Sequence, residues 1–267
     1  CRRGFPCVRS RSVSAAMTPK PEARQPMHVS TSREAAATGG LHISGRDPGL
    51  AGVSGAMQTM DALNPTPEGA LASPASVRNA GPILEVLKAH LPARGRVLEI
   101  AGGSGQHSVA FAGALPGLTW TPSDPSPEAR ASMAAWAAQA KLPNLEPPQA
   151  LDMLDEAGWP TEQTDVVICI NMIHISPWAA TEGLMRLAGR ALRRPGGLLA
   201  LYGPYREAGV DIAPSNAAFD ADLKRRNPDW GLRDSDLVIA EAKAAGLAPT
   251  QRIAMPANNI MLLFRAL

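Results

Sequence analysis

Cysteine occurs three times in this chain, aromatic residues make up only 4% of it and charged residues 19%. Each scarcity removes a class of protein. With two of the three cysteines at positions 1 and 7, neither a disulfide framework nor a Cys/His ligand cluster can be assembled, and no metal site is expected. Cys169, inside VVICI, reads as a small buried hydrophobe, and this usage fits a reducing compartment. No apolar run approaches the ~20 residues of a bilayer-spanning helix, so no membrane partner is expected. Concentrated positive charge is also missing from most of the chain. Residues 1–60 carry 8 Lys/Arg against 3 Asp/Glu, whereas residues 61–267 carry 18 against 21. The larger part is mildly acidic, which argues against a nucleic-acid partner.

What the chain does have is a 45% hydrophobic content over 267 residues, enough for one sizeable core plus a tail. The first 60 residues are rich in Ser, Arg, Ala, Gly and Pro, lack periodicity and cannot bury enough apolar surface to offset chain entropy. Residues 1–69 are therefore expected to be a disordered basic leader or tail and residues 70–267 the folded domain. CRRGFPCVRSRSVSAAM has the acid-free, Arg- and Ser-rich composition of an organellar transit peptide. The chain opens on Cys1, and Met17, Met27, Met57 and Met60 are alternative starts. The expected location is cytoplasmic, or organellar if that leader is a genuine transit peptide.

From about residue 77 the pattern alternates. Helices are expected over 77–90, 106–114, 127–141, 178–193 and 235–245, with strands over 96–101, 118–123, 145–151, 165–171, 197–202, 249–255 and 260–265. Such alternation specifies an α/β fold with a doubly wound, mostly parallel sheet of seven strands, and a tight turn through PANN makes the last strand antiparallel. The connection from Gly203 to Arg233 is unusually long. It reads as a surface helix over 215–226 capped by Ser215, as a lid over a small ligand, or as both.

The segment RVLEIAGGSGQHSVAFA, residues 96–112, is a buried-strand run, an acid, a glycine-rich turn and a helix-compatible stretch. Gly102, Gly103 and Gly105 let backbone approach a ligand with no side chain between. Such turns also occur as plain connections. Here, however, Asp124 ends the next strand about 20 residues on, where an acid can take the hydroxyls of an adenosine ribose. Asp152, Asn171 and His174 follow the third and fourth strands, so polar groups collect at the carboxyl edge where doubly wound sheets bind ligands. Both a dinucleotide and S-adenosyl-L-methionine fit a glycine loop with a ribose acid. Glu99 would repel a pyrophosphate but attract an ammonium group, and Ser108 stands where the dinucleotide fingerprint has its third glycine.

The Glu-x-Ala-x-Gly-x-Gly order of residues 99–105 resembles the first motif of class I methyltransferases, with Ala101 at a position usually occupied by glycine. The resemblance widens over residues 73–267. SPASVRNAGPILEVL, VLEIAGGSGQH, LTWTPSD, NMIHISPW, LYGPY, APSNAAFD and MPANNI together resemble the methyltransferase-like protein 26 family, a group of S-adenosyl-L-methionine-dependent methyltransferases of unassigned substrate. That resemblance implies a class I, Rossmann-like fold, an antiparallel last strand, S-adenosyl-L-methionine as cofactor and a methyl acceptor, here expected to be a small molecule. Two rival readings remain: a non-catalytic S-adenosyl-L-methionine-binding sensor or assembly protein, and a nicotinamide-dependent oxidoreductase.

Candidate cofactor residues are Glu99, Ala101, Gly102, Gly103, Gly105, His107, Asp124, Asp152 and Asn171. Each has a plainer role: Asp124 or Asp152 as a helix cap, with Asp155 competing, and His107 as a structural hydrogen-bonding group. His174 and Tyr205 are the catalytic candidates, because a histidine with a pKa near 6.5 suits an acceptor that must lose a proton. Arg78, Asn79, Tyr202, Asn216 and Asn259 are candidates on the substrate side. Trp120, Trp136, Trp159 and Trp178 read as packing residues.

Overall fold

A computed structural model describes residues 63–66 and 68–267. The expected leader falls, for residues 1–62 and 67, outside the described residues. Ahead of the domain, Asn64–Pro65 pairs antiparallel with Leu71–Ala72. This ribbon is fastened to the body by Leu71 N–H on Ser132 Oγ (2.7 Å) and by the Trp136 indole on Leu71 O (2.9 Å).

Strands β1 (Gly95–Ile100), β2 (Leu118–Pro122), β3 (Val166–Ile170), β4 (Leu198–Gly203), β5 (Leu247–Met255) and β6 (Asn259–Ala266) form one sheet in the order β2-β1-β3-β4-β6-β5. The first four are mutually parallel, and β6 runs antiparallel to both neighbours. Helices α1 (Pro74–His90), α2 (Gln106–Ala114), α3 (Pro127–Ala140), α4 (Trp178–Ala191), α5 (Pro214–Arg226) and α6 (Ser235–Ala244) fill the connections. Successive strand residues point to opposite faces. Val97, Val166, Ile168 and Ala200 therefore pack with Ile83, Leu87 and Phe111 of α1 and α2. Leu98, Val167, Leu199 and Leu201 pack on the other face with Leu184, Ala188 and Val238 of α4 and α6. Covering both faces explains why these strands read as unbroken apolar runs.

The sheet has six strands, against seven expected. Segment 145–151 does run beside β2, with Glu146 N–H on Trp120 O (2.8 Å) and Gln149 N–H on Pro122 O (2.9 Å), but only isolated bridges form. Pro147 and Pro148 have no N–H to offer, so a continuous ladder is impossible. At the other edge, β5 carries Pro249 and a bulge opposite Leu263/Phe264, where Thr250 Oγ1 bonds Leu263 O (3.1 Å).

The helix expected to start at Val77 begins at Pro74, because Ser73 Oγ accepts the Ser76 N–H (3.2 Å) and proline suits the first turn. Ser215 does not cap α5. Pro214 takes the first turn and Ala213 is the residue before it, which moves Ser215 inside the helix.

The long connection after β4 is tied at both ends. Tyr205–Arg206 pairs with Arg233–Asp234, and buried Asp220 of α5 receives Arg206, Lys224 Nζ (2.8 Å) and the Leu232 N–H (2.8 Å). Burial alone would raise the Asp220 carboxyl, but those donors together hold it below the usual range. Three sites more than ten residues apart in sequence are thus joined through one carboxylate.

Candidate functional site at the carboxyl edge

Beyond β1 the chain turns through Ala101 (φ 54°), Gly103 (φ 58°) and Gly105 (φ 87°) before α2. A Cβ on Gly105 would lie 2.8 Å from Met133 Cα, and one on Gly102 would lie 2.9 Å from Met133 Cε and 3.5 Å from the Glu99 carboxyl carbon. Glycine is needed there for space as well as conformation. The loop is also hydrogen-bonded to β2: Gly102 N–H reaches Ser123 O (2.9 Å) and Gly103 N–H reaches Asp124 Oδ2 (3.1 Å). The other oxygen of Asp124 takes the Ser126 N–H (2.9 Å).

Glu99 lies beneath the loop, only 1% exposed. Its Oε2 accepts Ser108 Oγ (2.6 Å) and the Trp120 indole N–H (2.7 Å). Burial raises its carboxyl above the usual range, opposed by these two donors and assisted by Asp124. Glu99, the glycines and Asp124 therefore form one connected unit. Trp120 and Ser108 belong to it too, although the sequence marked the first only as packing and the second only as a departure from another fingerprint. No local sequence signal marks this link, since Ser108 and Trp120 lie 9 and 21 residues beyond Glu99.

His107 stacks on Phe111 with ring centroids 5.3 Å apart, near the Ser76 carbonyl of α1, and its Nε2 is buried without a hydrogen-bond partner among the described residues. Burial lowers its pKa to about 4. Gln106 next to it accepts the Ser73 N–H (2.5 Å), so the first turn of α2 anchors the start of α1. Arg78 is exposed and Asn79 half-buried on that start, and the Arg78 charge acts on Tyr202 at the end of β4. Burial nonetheless pushes the Tyr202 phenol up to about 12. Asp152 is exposed, and its Oδ1 takes the Leu154 N–H (2.9 Å), while Asp155 Oδ1 takes that of Ala157 (3.2 Å). Each acid thus closes a local turn.

A second group forms around Gly203. Asn171 (φ 63°) ends β3, with its N–H on Tyr202 O (2.8 Å), and the turn Met172–His174 follows. A Cβ on Gly203 would sit 2.4 Å from His174 Nε2 and 3.2 Å from Asn171 Oδ1. His174 is fully buried, edge-on to the Tyr205 ring at 4.9 Å. Burial, then Arg233, lowers its pKa to about 3, and burial raises the Tyr205 phenol well above 10. Arg233 fixes this turn, giving Nε to Ile173 O (2.9 Å) and Nη2 to Ser176 O (2.6 Å). The sequence reading assigned that arginine no role. A lone Arg well downstream of a strand end carries no local signal for this contact.

Among the described residues, His174 Nδ1 and Nε2, the Tyr205 hydroxyl and Asn216 Oδ1 are buried without a hydrogen-bond partner. Asn216 and Asn259 line a cavity of about 590 Å3, with Tyr205 and Arg206, between the tied connection and the β5–β6 turn. No group of His, Cys, Asp and Glu able to hold a metal is present among the described residues, and no helix there is long and apolar enough to cross a membrane.

The fold is shared with solved methyltransferases. An O-methyltransferase family protein from Burkholderia thailandensis matches with TM-score 0.62 at 20% identity, over 72% of this chain and 57% of that one. An O-methyltransferase family 2 protein from Planctomyces limnophilus, in complex with apigenin, matches with TM-score 0.61 at 21% identity, over 70% and 56%. Human N-acetylserotonin methyltransferase, in complex with S-adenosylmethionine, matches with TM-score 0.58 at 15% identity, over 72% and 52%. This chain thus spans little more than half the length of each, and at such identities the likeness is one of fold. In sequence, the model of the family described as "Protein of unknown function (DUF938)" matches residues 71–266, and the chain belongs to that family.

Proposed function

We propose that this protein is an S-adenosyl-L-methionine-dependent methyltransferase acting on a small-molecule acceptor, and that within its family it is allied to methyltransferase-like protein 26. The observation carrying this reading is the unit formed by Glu99, the glycine turn and Asp124 at the carboxyl ends of adjacent parallel strands. That turn suits an adenosyl amino acid: Gly102 and Gly105 pack against Met133 where no side chain fits, and Gly103 leaves open space beside the backbone. Asp124 would take the ribose hydroxyls, exchanging part of its bonding to the loop. Asp152 and Asn171 would complete the rim. In its ionised form, which Ser108 and Trp120 support and burial opposes, Glu99 would give the loop a negative floor that suits an ammonium group and opposes a pyrophosphate, which would disfavour the nicotinamide reading.

When bound, the cofactor would supply an electrophilic methyl group on a sulfonium. The chain's own contribution is then chiefly alignment of an acceptor. His174, with a pKa near 3, is neutral at physiological pH and a weak base. We therefore assign it and Tyr205 the positioning of the turn after β3, with Arg78, Asn79 and Tyr202 bordering the acceptor side.

The test is calorimetry of the whole chain with S-adenosyl-L-methionine and its demethylated product. Micromolar binding that Asp124→Ala removes is expected. If folded protein binds neither ligand, the cofactor assignment is wrong.

A further inference from the structure

Between its last two glycines the turn after β1 carries one side chain, Ser104, which is 4% exposed. The Ser104 carbonyl accepts the Ser132 hydroxyl of α3 (2.6 Å), and the same Ser132 oxygen accepts the Leu71 N–H (2.7 Å). The Ser104 hydroxyl donates to Gln106 Oε1 (3.4 Å), the atom that also accepts the Ser73 N–H (2.5 Å). Two relays, one through α3 and one through α2, thus run from a single residue of the glycine turn to residues 71–73.

The segment at the far end of these relays depends on them. Asn64–Pro65 against Leu71–Ala72 is too short a ladder to be stable by itself. Ser132 and Trp136, four apart and so on one face of α3, grip the N–H and the carbonyl of Leu71. Ser73 then caps α1, just ahead of Arg78 and Asn79. At the near end, Met133 backs Gly102 and Gly105, so whatever fixes the turn also fixes the part of α3 from which the ribbon hangs. Ser132 itself is 1% exposed and spends its hydrogen on the turn and a lone pair on the ribbon.

Resting on the cofactor reading of that turn, we propose that the ribbon ahead of α1 is a clamp coupled to cofactor binding, with Ser132 and Gln106 as the positioning residues that transmit it. A cofactor seated on the glycines fixes the Ser104 peptide. Ser132 and Gln106 then hold Leu71 and Ser73, and with them the start of α1 on the acceptor side. Coupling of this kind is reciprocal, so loosening the ribbon weakens the cofactor by the factor with which the cofactor tightens the ribbon. Trp136 is the informative position, because its indole bonds the ribbon one helical turn beyond Ser132.

Amide hydrogen exchange of the whole chain, followed by NMR with and without S-adenosyl-L-homocysteine, tests this. Saturating ligand should slow the Leu71 and Ser73 amides by about fivefold or more. Ser132→Ala should still bind the ligand but lose the slowing at Leu71. Gln106→Leu should lose it at Ser73, and Gln106→Glu, which keeps an acceptor, should restore it. Trp136→Phe should weaken the ligand by about fivefold in calorimetry, a change that simple loss of stability would not produce in the folded protein. Ligand binding that leaves Leu71 and Ser73 unchanged, slowing that survives Ser132→Ala, or full affinity in Trp136→Phe would overturn the clamp and leave the cofactor assignment standing. Folded protein that binds no ligand removes the clamp and the cofactor assignment together.

Discussion

The two halves of the carboxyl edge differ in how completely the protein satisfies itself. On the β1–β2 side the two acids are paired internally, Glu99 with Ser108 and Trp120 and Asp124 with Gly103 and Ser126, and among the described residues there one ring nitrogen, His107 Nε2, is buried without a partner. On the β3–β4 side His174, Tyr205 and Asn216 bury polar atoms that nothing in the described residues meets. A buried unsatisfied group costs about 1–3 kcal/mol, so such atoms persist where another requirement outweighs stability. The first half is preorganised for a ligand of fixed shape, and the second holds its specificity in reserve.

The largest blow to the second half should come from Gly203→Ala. The added Cβ meets a fully buried imidazole that has nowhere to move, and a loss of about 2–3 kcal/mol in urea unfolding is expected. A loss below about 0.5 kcal/mol would mean that His174 is not wedged there. In the first half, Asp124→Ala should weaken cofactor binding by about 10–100-fold, because bonds to a charged group contribute about 1.5–3 kcal/mol, with little change in fold. An unchanged affinity would move the ribose contact elsewhere.

The pH dependence spans both halves. The folded-state pKa values of His107 and His174, about 4 and about 3, lie below the ordinary 6.5. The unfolded chain thus binds more protons below pH 6.5. Stability from these residues is full above that value and falls as pH drops, by up to about 1.4 kcal/mol per pH unit for each. Unfolding free energies between pH 7 and 5 should show this slope, and His107→Gln should halve it; a flat profile would mean that the rings accept protons without unfolding. The smallest effect expected is Gly103→Ala, at about 1 kcal/mol, since no atom lies within 4 Å and only the left-handed backbone opposes it. A loss several times larger would imply that the loop is more crowded than the first half's geometry describes.

Much of this was legible in the chain. Apolar runs such as VVICI and the punctuation of Pro127, Pro177 and Gly246 placed the strands and helices within a few residues, because burial on both faces and helix termination are local matters. The glycine turn and Asp124 were legible for the same reason. What escaped depended on distant partners. The alternation of elements placed a strand over residues 145–151, but two prolines broke its ladder. Likewise Trp120 looked like core and is also a donor to Glu99, and Arg233 looked like the end of a loop and braces the His174 turn. Periodicity reports which face a residue occupies, not the atom its polar end will find.

The proline-marked margins of the sheet bear on how copies of this protein meet. Pro147 and Pro148 flank one side, while Pro249 and the Thr250 bulge interrupt the other. A neighbouring molecule seeking to extend the sheet would find missing donors and a broken register at either margin. Self-association by strand addition at these two margins is thereby discouraged.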